Sequence, residues 1–295
     1  MYQYVLEPMN KRLVSLLVVG FVIVAFSLSG CIGNDDGDTK TAHEIATVSI
    51  SGSTTVMPFA EACAEEFNRV QDEVKVMVTG GGSGVGIKNV ATGLSDIAMA
   101  SRPVKPDEVT TYGDNFQEYM VAYDAIAIVV SEPIYQSGVV GLSQEEIAAV
   151  YNGEITNWKE LGGPDEKIYV AAREVGSGTR DTFNKMVMGS EEAETPGVIT
   201  NHGSNAEVKT VITSSDKAIG YQGLNYAHGG KLHAVSYDGI EPSAETIKDG
   251  SYPLARALLF YSWGEPDENS QKFLDFVIGK DGQRIAEETG FVSVH

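Results

Sequence analysis

Cysteine is scarce: Cys31 and Cys63 are the two in 295 residues, which excludes a disulfide framework. Basic charge is scarce as well. Against 41 Asp and Glu stand 21 Lys and Arg, for a formal charge of −20. A chain this acidic lacks the electrostatic footprint of a nucleic-acid binder and is repelled by an anionic membrane surface. It cannot steer an anion from a distance either, so any anion it holds is held by local groups. The five histidines, His43, His202, His228, His233 and His295, show no metal-ligand spacing on one helix and no cysteine beside them. Neither a metal nor a cofactor is expected. No internal repeat interrupts the chain, and no long apolar run follows Leu28.

What is present begins with Lys11 and Arg12, then the almost wholly apolar stretch Leu13 to Leu28, then Leu28-Ser29-Gly30-Cys31. The stretch is shorter than the roughly 20 residues a spanning helix needs, so 1–30 reads as a secretory leader. Its ending resembles the lipobox of prokaryotic lipoproteins. That resemblance implies cleavage before Cys31, a lipid on Cys31, and anchorage to the outer face of the cell membrane. The polar run from Gly33 to Lys40 makes 31–43 a flexible tether. Cys63 then has no partner. It lies on the apolar side of a predicted helix and reads as a small buried hydrophobe.

From about residue 44 onward, strand-like and helical patterns alternate, which predicts an α/β fold with largely parallel sheets. Three stretches share one plan of β-rich run, short Gly/Ser/Thr loop and helix. They are Thr47–Ile50 with Ser51 to Thr55 and a helix from Pro58; Val74–Val78 with Gly80 to Gly84 and a helix from Ile87; and Ile168–Ala172 with Arg173, Gly176 to Thr179 and a helix over Asp181–Val187. A helix start offers unpaired N–H groups and the positive end of the macrodipole, and glycines let that backbone approach a ligand. Three such loops on one chain suggest a cage for a small oxyanion. Ala122–Val130 and Leu254–Tyr261 are long strand-like runs that either cross between two lobes as a hinge or are simply core strands of one sheet. Ser143-Gln144-Glu145-Glu146 opens a further helix with a capping-box pattern, and helices are expected near Ser270–Ile278 and Gly282–Thr289.

Several ordered segments resemble the phosphate-binding subunit of the Pst-type ABC importer, in its shorter branch. They are Ser51-Gly52-Ser53-Thr54-Thr55-Val56-Met57-Pro58, Gly82-Ser83-Gly84-Val85-Gly86, Asp96 to Arg102, Tyr151-Asn152-Gly153-Glu154-Ile155-Thr156-Asn157-Trp158, Gly176-Ser177-Gly178-Thr179-Arg180, Ala218-Ile219-Gly220-Tyr221 and Gly279 to Gln283. The resemblance implies a two-lobed type II periplasmic-binding-protein-like fold, with hinge strands and a ligand cleft between the lobes. Residues 44–124 and 254–295 would form one lobe and 125–253 the other. It also implies capture of inorganic phosphate and delivery to the permease subunits of an ABC importer. The protein is expected to be a monomer.

Carried over residue by residue, Thr54 and Thr55 match the first phosphate loop, Ser83 the second, and Arg173, Ser177, Gly178 and Thr179 the third. Each has a plainer reading: a helix cap, a turn, or for Arg173 a salt bridge. Ser101 and Arg102 are counted among the ligand-binding residues as well, Arg102 either touching the anion or pairing with a nearby acid, but they mark a departure, because longer members carry an aspartate where Arg102 stands. A carboxylate there accepts the proton of monohydrogen phosphate and repels sulfate. Asp124, Glu174 and Asp181 are the candidates for a substitute acceptor. Its loss keeps sulfate, molybdate and tungstate open as alternative ligands. An enzyme is not expected: neither Ser83 nor Ser177 sits in Gly-x-Ser-x-Gly, and Lys88 is displaced from the P-loop position. Trp158, Phe183, Tyr221 and Tyr226 read as packing residues.

Overall fold

The computed structural model describes residues 45–295; the leader, Cys31 and the tether lie outside them. Strands β1 (Ala46–Gly52), β2 (Val74–Gly80) and β3 (Ile97–Ala100) alternate with helices α1 (Met57–Val70), α2 (Ser83–Ala91) and α3 (Pro106–Tyr112). In α1, Phe59, Ala60, Cys63, Ala64 and Phe67 make one buried stripe at helical spacing, with Pro58 in the first turn. The reading of Cys63 as a buried hydrophobe holds. β1 pairs in parallel with β2 from Ala46↔Val74 to Gly52↔Gly80, and with β3 from Ile50↔Ile97.

The chain leaves this region through β4 (Phe116–Ser131), sixteen residues long. It then forms α4 (Glu132–Gln136), β5 (Gly141–Leu142), α5 (Gln144–Tyr151), β6 (Tyr169–Arg173), α6 (Gly178–Phe183), β7 (Thr200–His202), α7 (Asn205–Ser214), β8 (Ala218–Gly223), β9 (Leu232–Ala234), β10 (Ser236–Tyr237) and α8 (Ala244–Lys248). It returns through β11 (Ala255–Trp263) and ends with α9 (Glu268–Ile278) and α10 (Lys280–Glu288). Ser143 caps α5 as expected: its Oγ accepts the Glu146 amide at 3.2 Å, and Glu146 accepts the Ser143 amide at 2.8 Å.

Nine strands form one sheet in the order β2-β1-β3-β11-β4-β8-β6-β7, with β9 also on β4. Two large cores form along it, with a smaller cluster of Ile87, Val90, Ala98, Ala100, Leu259 and Tyr261 beside them. One gathers Ile50, Phe59, Phe67, Leu258, Phe260 and Phe273; the other gathers Ile128, Trp158, Phe183, Ile212 and Tyr221. β4 serves both, through Val121 and Ala122 in the first and Ala125 to Val130 in the second. The long strands are therefore central strands of one sheet, and β4 contributes to both cores.

The expectation of largely parallel pairing fits the flanks, where β6 also runs parallel to β7 and β8. The centre is antiparallel, from Ala255↔Ala125 to Trp263↔Phe116, because the chain goes out on one strand and comes back on the other. Two helix starts also differ. α2 begins at Ser83, not Ile87, since Gly81 and Gly82 take positive φ of 145° and 90° and complete the turn at once. α6 begins at Gly178 and widens into a π turn over Asn184–Met188. No helix among the described residues is long and apolar enough to cross a membrane.

Phe273 is fully buried and meets Phe67 edge to face at 5.4 Å. Phe273→Ala should cost about 3–5 kcal/mol through lost transfer energy and the cavity left behind. Urea unfolding followed by tryptophan fluorescence and far-UV dichroism would measure it; a loss under about 1 kcal/mol would contradict this packing.

Candidate functional site

The three Gly/Ser/Thr loops meet at the seam between the two cores. From the first come Ser53 to Thr55 after β1, Gly82 and Ser83 after β2, and Ser101 after β3. From the second come Arg173 at the end of β6 and Gly178 and Thr179 in the first turn of α6. Hydroxyls cross the seam directly, with Thr55 Oγ1 2.9 Å from Thr179 Oγ1. Backbone crosses too, where the Gly84 amide donates to the Gly176 carbonyl at 3.0 Å. Ser83 Oγ accepts the Ser101 amide at 3.1 Å, and Ser53 Oγ donates to Ser101 Oγ at 3.1 Å. Gly178 lies against this serine pair so closely that a Cβ would overlap Ser83 Oγ and crowd Ser101 Oγ. The Ser177 hydroxyl caps α6 by accepting the Arg180 amide at 3.3 Å, and the Ser177 amide donates to the Glu174 carbonyl at 3.2 Å.

Arg173 is 1% exposed. Its Nε donates to the His202 carbonyl at 3.1 Å, and its Nη2 to the Gly203 carbonyl at 2.9 Å and Thr54 Oγ1 at 3.2 Å. Its Nη1 is buried and has no partner among the described residues. The other such atoms, on Gln222 and Asn225, belong to uncharged carboxamides. No acid pairs with Arg173 among the described residues, so the salt-bridge reading does not apply to it. Burial pulls its pKa down to about 10, Tyr221 opposes the fall, and the charge of Arg256 adds to it. The charges of Glu174 and Glu207 act on it in the opposite sense, but neither forms an ion pair with it, so the buried guanidinium has no acid in direct contact.

Arg102 is not gathered with these groups. Its Nε donates to Asp181 at 2.7 Å, Nη1 and Nη2 fork onto Glu108 at 2.8 and 2.7 Å, and Nη1 also reaches the Pro103 carbonyl at 2.8 Å. Lys105 joins Asp181 at 3.0 Å and Glu191 at 3.3 Å. The position that departs from the longer family members thus holds a buried ionic clasp between the two halves. The candidate acceptors separate accordingly. Asp181 belongs to the clasp, Glu174 is exposed, and Asp124 is buried against Arg256 at 2.8 Å.

Sequence reasoning missed Arg256 and Asn205. Arg256 Nη1 donates to Thr179 Oγ1 at 3.0 Å and Nη2 reaches Thr55 Oγ1 at 3.4 Å. Asn205 Nδ2 donates to Thr54 and Thr55 hydroxyls at 3.2 and 3.0 Å. A signal for Arg256 existed: it is the charge within an otherwise apolar strand, and a buried charge needs a partner. That partner, Asp124, is the acid within the apolar run Ala122–Val130 of the other long strand, directly opposite in register. Tyr226, read as packing, also donates its hydroxyl to the Thr54 carbonyl at 3.0 Å.

The arrangement matches known proteins. A family model described as a PBP superfamily domain covers residues 37–281. The phosphate-binding protein PstS of Bacillus subtilis is 32% identical over 291 residues, 97% of this chain and 94% of that one. A Clostridium perfringens structure, assigned in its description as a phosphate ABC transporter substrate-binding protein and holding phosphate, is 36% identical with a TM-score of 0.78, over 84% of this chain and 100% of that one. An ABC-type phosphate transport receptor from Vibrio cholerae is 31% identical with a TM-score of 0.68, over 83% and 99%.

Arg102→Ala should destabilise the fold by about 3–5 kcal/mol, because Asp181 and Glu108 would stay buried with much of their compensating charge gone. Arg102→Lys should recover part of the loss. Urea midpoints of the three proteins test this; an Ala variant within about 1 kcal/mol of the parent would show that the clasp contributes nothing.

Proposed function

The chain belongs to the PBP superfamily and has its two-lobed type II fold, and from that premise we propose that it is an extracytoplasmic solute-binding protein that captures inorganic phosphate and delivers it to the permease subunits of an ABC importer. The observation that carries the reading is the Arg173 guanidinium: buried, without an acid partner, with one nitrogen that has no partner among the described residues and another on the Thr54 hydroxyl from the other half. A tetrahedral oxyanion supplies the missing charge and enough acceptor oxygens for donors on every side.

In this reading residues 44–124 and 254–295 form one lobe and 125–253 the other. Thr54, Thr55, Ser83 and Ser101 bring the first lobe's share of the shell. Arg173, Gly178 and Thr179 bring the second's, Gly178 through its backbone N–H group, while Ser177, whose amide donates to the Glu174 carbonyl at 3.2 Å and whose hydroxyl caps α6, shapes the turn. Arg102 locks the closed form and leaves the anion to others. Each lobe alone offers half a cage, so the anion binds the closed state better than the open one and shifts the population toward it. The leader is removed, Cys31 carries the lipid, and the tether holds a monomer at the outer face of the membrane. The protein performs no chemistry on its ligand.

Phosphate at a hundredfold excess over its Kd should stabilise the full chain in detergent by about 2.7 kcal/mol, seen as a rise in thermal midpoint. Thr179→Val should weaken binding at least about tenfold, since a donor to a buried anion is removed. A thermal melt with and without phosphate checks the first, and calorimetric titration the second. A midpoint indifferent to phosphate, or an unchanged Thr179→Val titration, would take phosphate or that residue out of the proposal.

A further inference from the structure

The threonine side of the site has a hydrogen-bond direction, and it follows from counting. A hydroxyl has one hydrogen to give and two lone pairs to receive with. Thr54 Oγ1 receives Arg173 Nη2 and Asn205 Nδ2, each at 3.2 Å. Thr55 Oγ1 receives Asn205 Nδ2 at 3.0 Å and Arg256 Nη2 at 3.4 Å. Both oxygens are full, so both hydroxyls can only donate. The 2.9 Å contact between Thr55 and Thr179 therefore runs from Thr55 to Thr179. Thr179 Oγ1 also receives Arg256 Nη1 at 3.0 Å, so it is full in turn and must donate onward.

The amide and the guanidinium that impose this direction are themselves held. Asn205 Oδ1 accepts the Gly223 amide at 3.1 Å, which keeps Nδ2 on the threonines. Arg256 is gripped by Asp124 Oδ2 through Nη2 at 2.8 Å and Nε at 3.2 Å, and Asp124 Oδ1 accepts the Leu224 amide at 3.2 Å. Asp124 is thus committed to Arg256 and the Leu224 amide, as Asp181 is to Arg102 and Lys105.

The serine side is different. Ser83 Oγ accepts only the Ser101 amide and Ser101 Oγ only the Ser53 hydroxyl, with a 3.4 Å contact between the two that either can donate. Each keeps a lone pair and a hydrogen that can exchange roles.

We propose that Asn205 and Arg256 are positioning residues that turn the Thr54 and Thr179 hydroxyls into obligate donors toward the anion, and that the proton of a monohydrogen oxyanion is received by the Ser83–Ser101 pair. This rests on the oxyanion reading above and deepens it. Its consequence is a mild specificity. A carboxylate acceptor cannot donate and rejects a fully ionised anion outright, whereas a serine turns its own hydrogen outward and tolerates it. Sulfate should therefore bind within about a hundredfold of phosphate, a gap of one reoriented hydrogen bond.

Calorimetric titration of the full chain in detergent at about pH 8, with phosphate and with sulfate, tests this without any substitution. Sulfate within about a hundredfold of phosphate supports the inference. Phosphate bound with sulfate more than about a thousandfold weaker overturns it and leaves the oxyanion reading intact. Uptake of neither anion removes the oxyanion reading, and the inference falls with it. Asn205→Asp then separates orientation from packing. A carboxylate accepts where the amide donated, so the Thr54 and Thr55 hydrogens turn back and Thr54 offers the anion a lone pair. Sulfate affinity should fall at least about tenfold further than phosphate affinity. Equal losses for the two anions would overturn the orienting role.

Discussion

A guanidinium buried at the seam between two cores, with hydrogen bonds but no acid in contact with it, governs the rest of this molecule. Arg173 spends three of its donor contacts on the carbonyls of His202 and Gly203 and on Thr54, which belongs to the other half. Carbonyls and hydroxyls satisfy N–H groups but do not cancel charge. The seam around it is made of threonine, serine, asparagine and glycine backbone, and such contacts exchange readily for water. The clasp through Arg102, Lys105 and Asp181 is ionic as well, and ion pairs of this kind repay little beyond their own desolvation. Closure without an anion thus has a weak driving force and an unbalanced charge at its centre. Closure with one has both defects repaired. On the proposed reading, the same residue that makes the empty closed form costly would make the filled one favourable, which is what a capture device requires.

The overall charge of −20 and a buried positive site are compatible because they act over different distances. Surface carboxylates are screened within about 8 Å at physiological ionic strength. Arg173 and Arg256 act at hydrogen-bond range in a medium that screens poorly. Asp124 neutralises one of the two guanidiniums at 2.8 Å and so leaves the site about one positive charge, with helix-start amides added. Acidity on the outside keeps anions from accumulating on the surface, and selectivity is left to the few groups that touch the ligand.

Much of this was legible in the chain. The alternation of β-branched runs and amphipathic helices announces the α/β order, and the Gly/Ser/Thr loops stand where strands give way to helices. Thr54, Thr55, Ser83, Ser101, Arg173, Gly178 and Thr179 do come together. What stayed hidden depends on contacts distant in sequence. Arg102 adjoins Ser101 in the chain, yet it turns to Asp181, 79 positions away, because Glu108 and Asp181 together take up its whole fork. Asn205 reads as the first residue of a helix behind its cap Ser204, and nothing local says that its amide reaches across to residues 54 and 55. The antiparallel centre escaped for a related reason: pairing direction follows from the path of the whole chain, while propensity and periodicity report only on the segment itself.

The two central strands tie the hinge to the site more tightly than a passive tether would. Arg256 and Asp124 stand directly opposite each other across β11 and β4, and their ion pair feeds Thr55 from one half and Thr179 from the other. The ladder shifts register between Leu258 and Leu259, close to the point where these strands pass from one core to the other. Irregularities of this kind bend and twist a strand pair locally. Lobe rotation about that point would carry Thr55 and Thr179 apart while Arg256 stays with Asp124. The guanidinium would then lose one threonine or the other, and Thr55 could no longer donate to Thr179. On the proposed reading, orientation of the hydroxyls would therefore be a property of the closed state alone, created by the same motion that brings the two halves of the cage together.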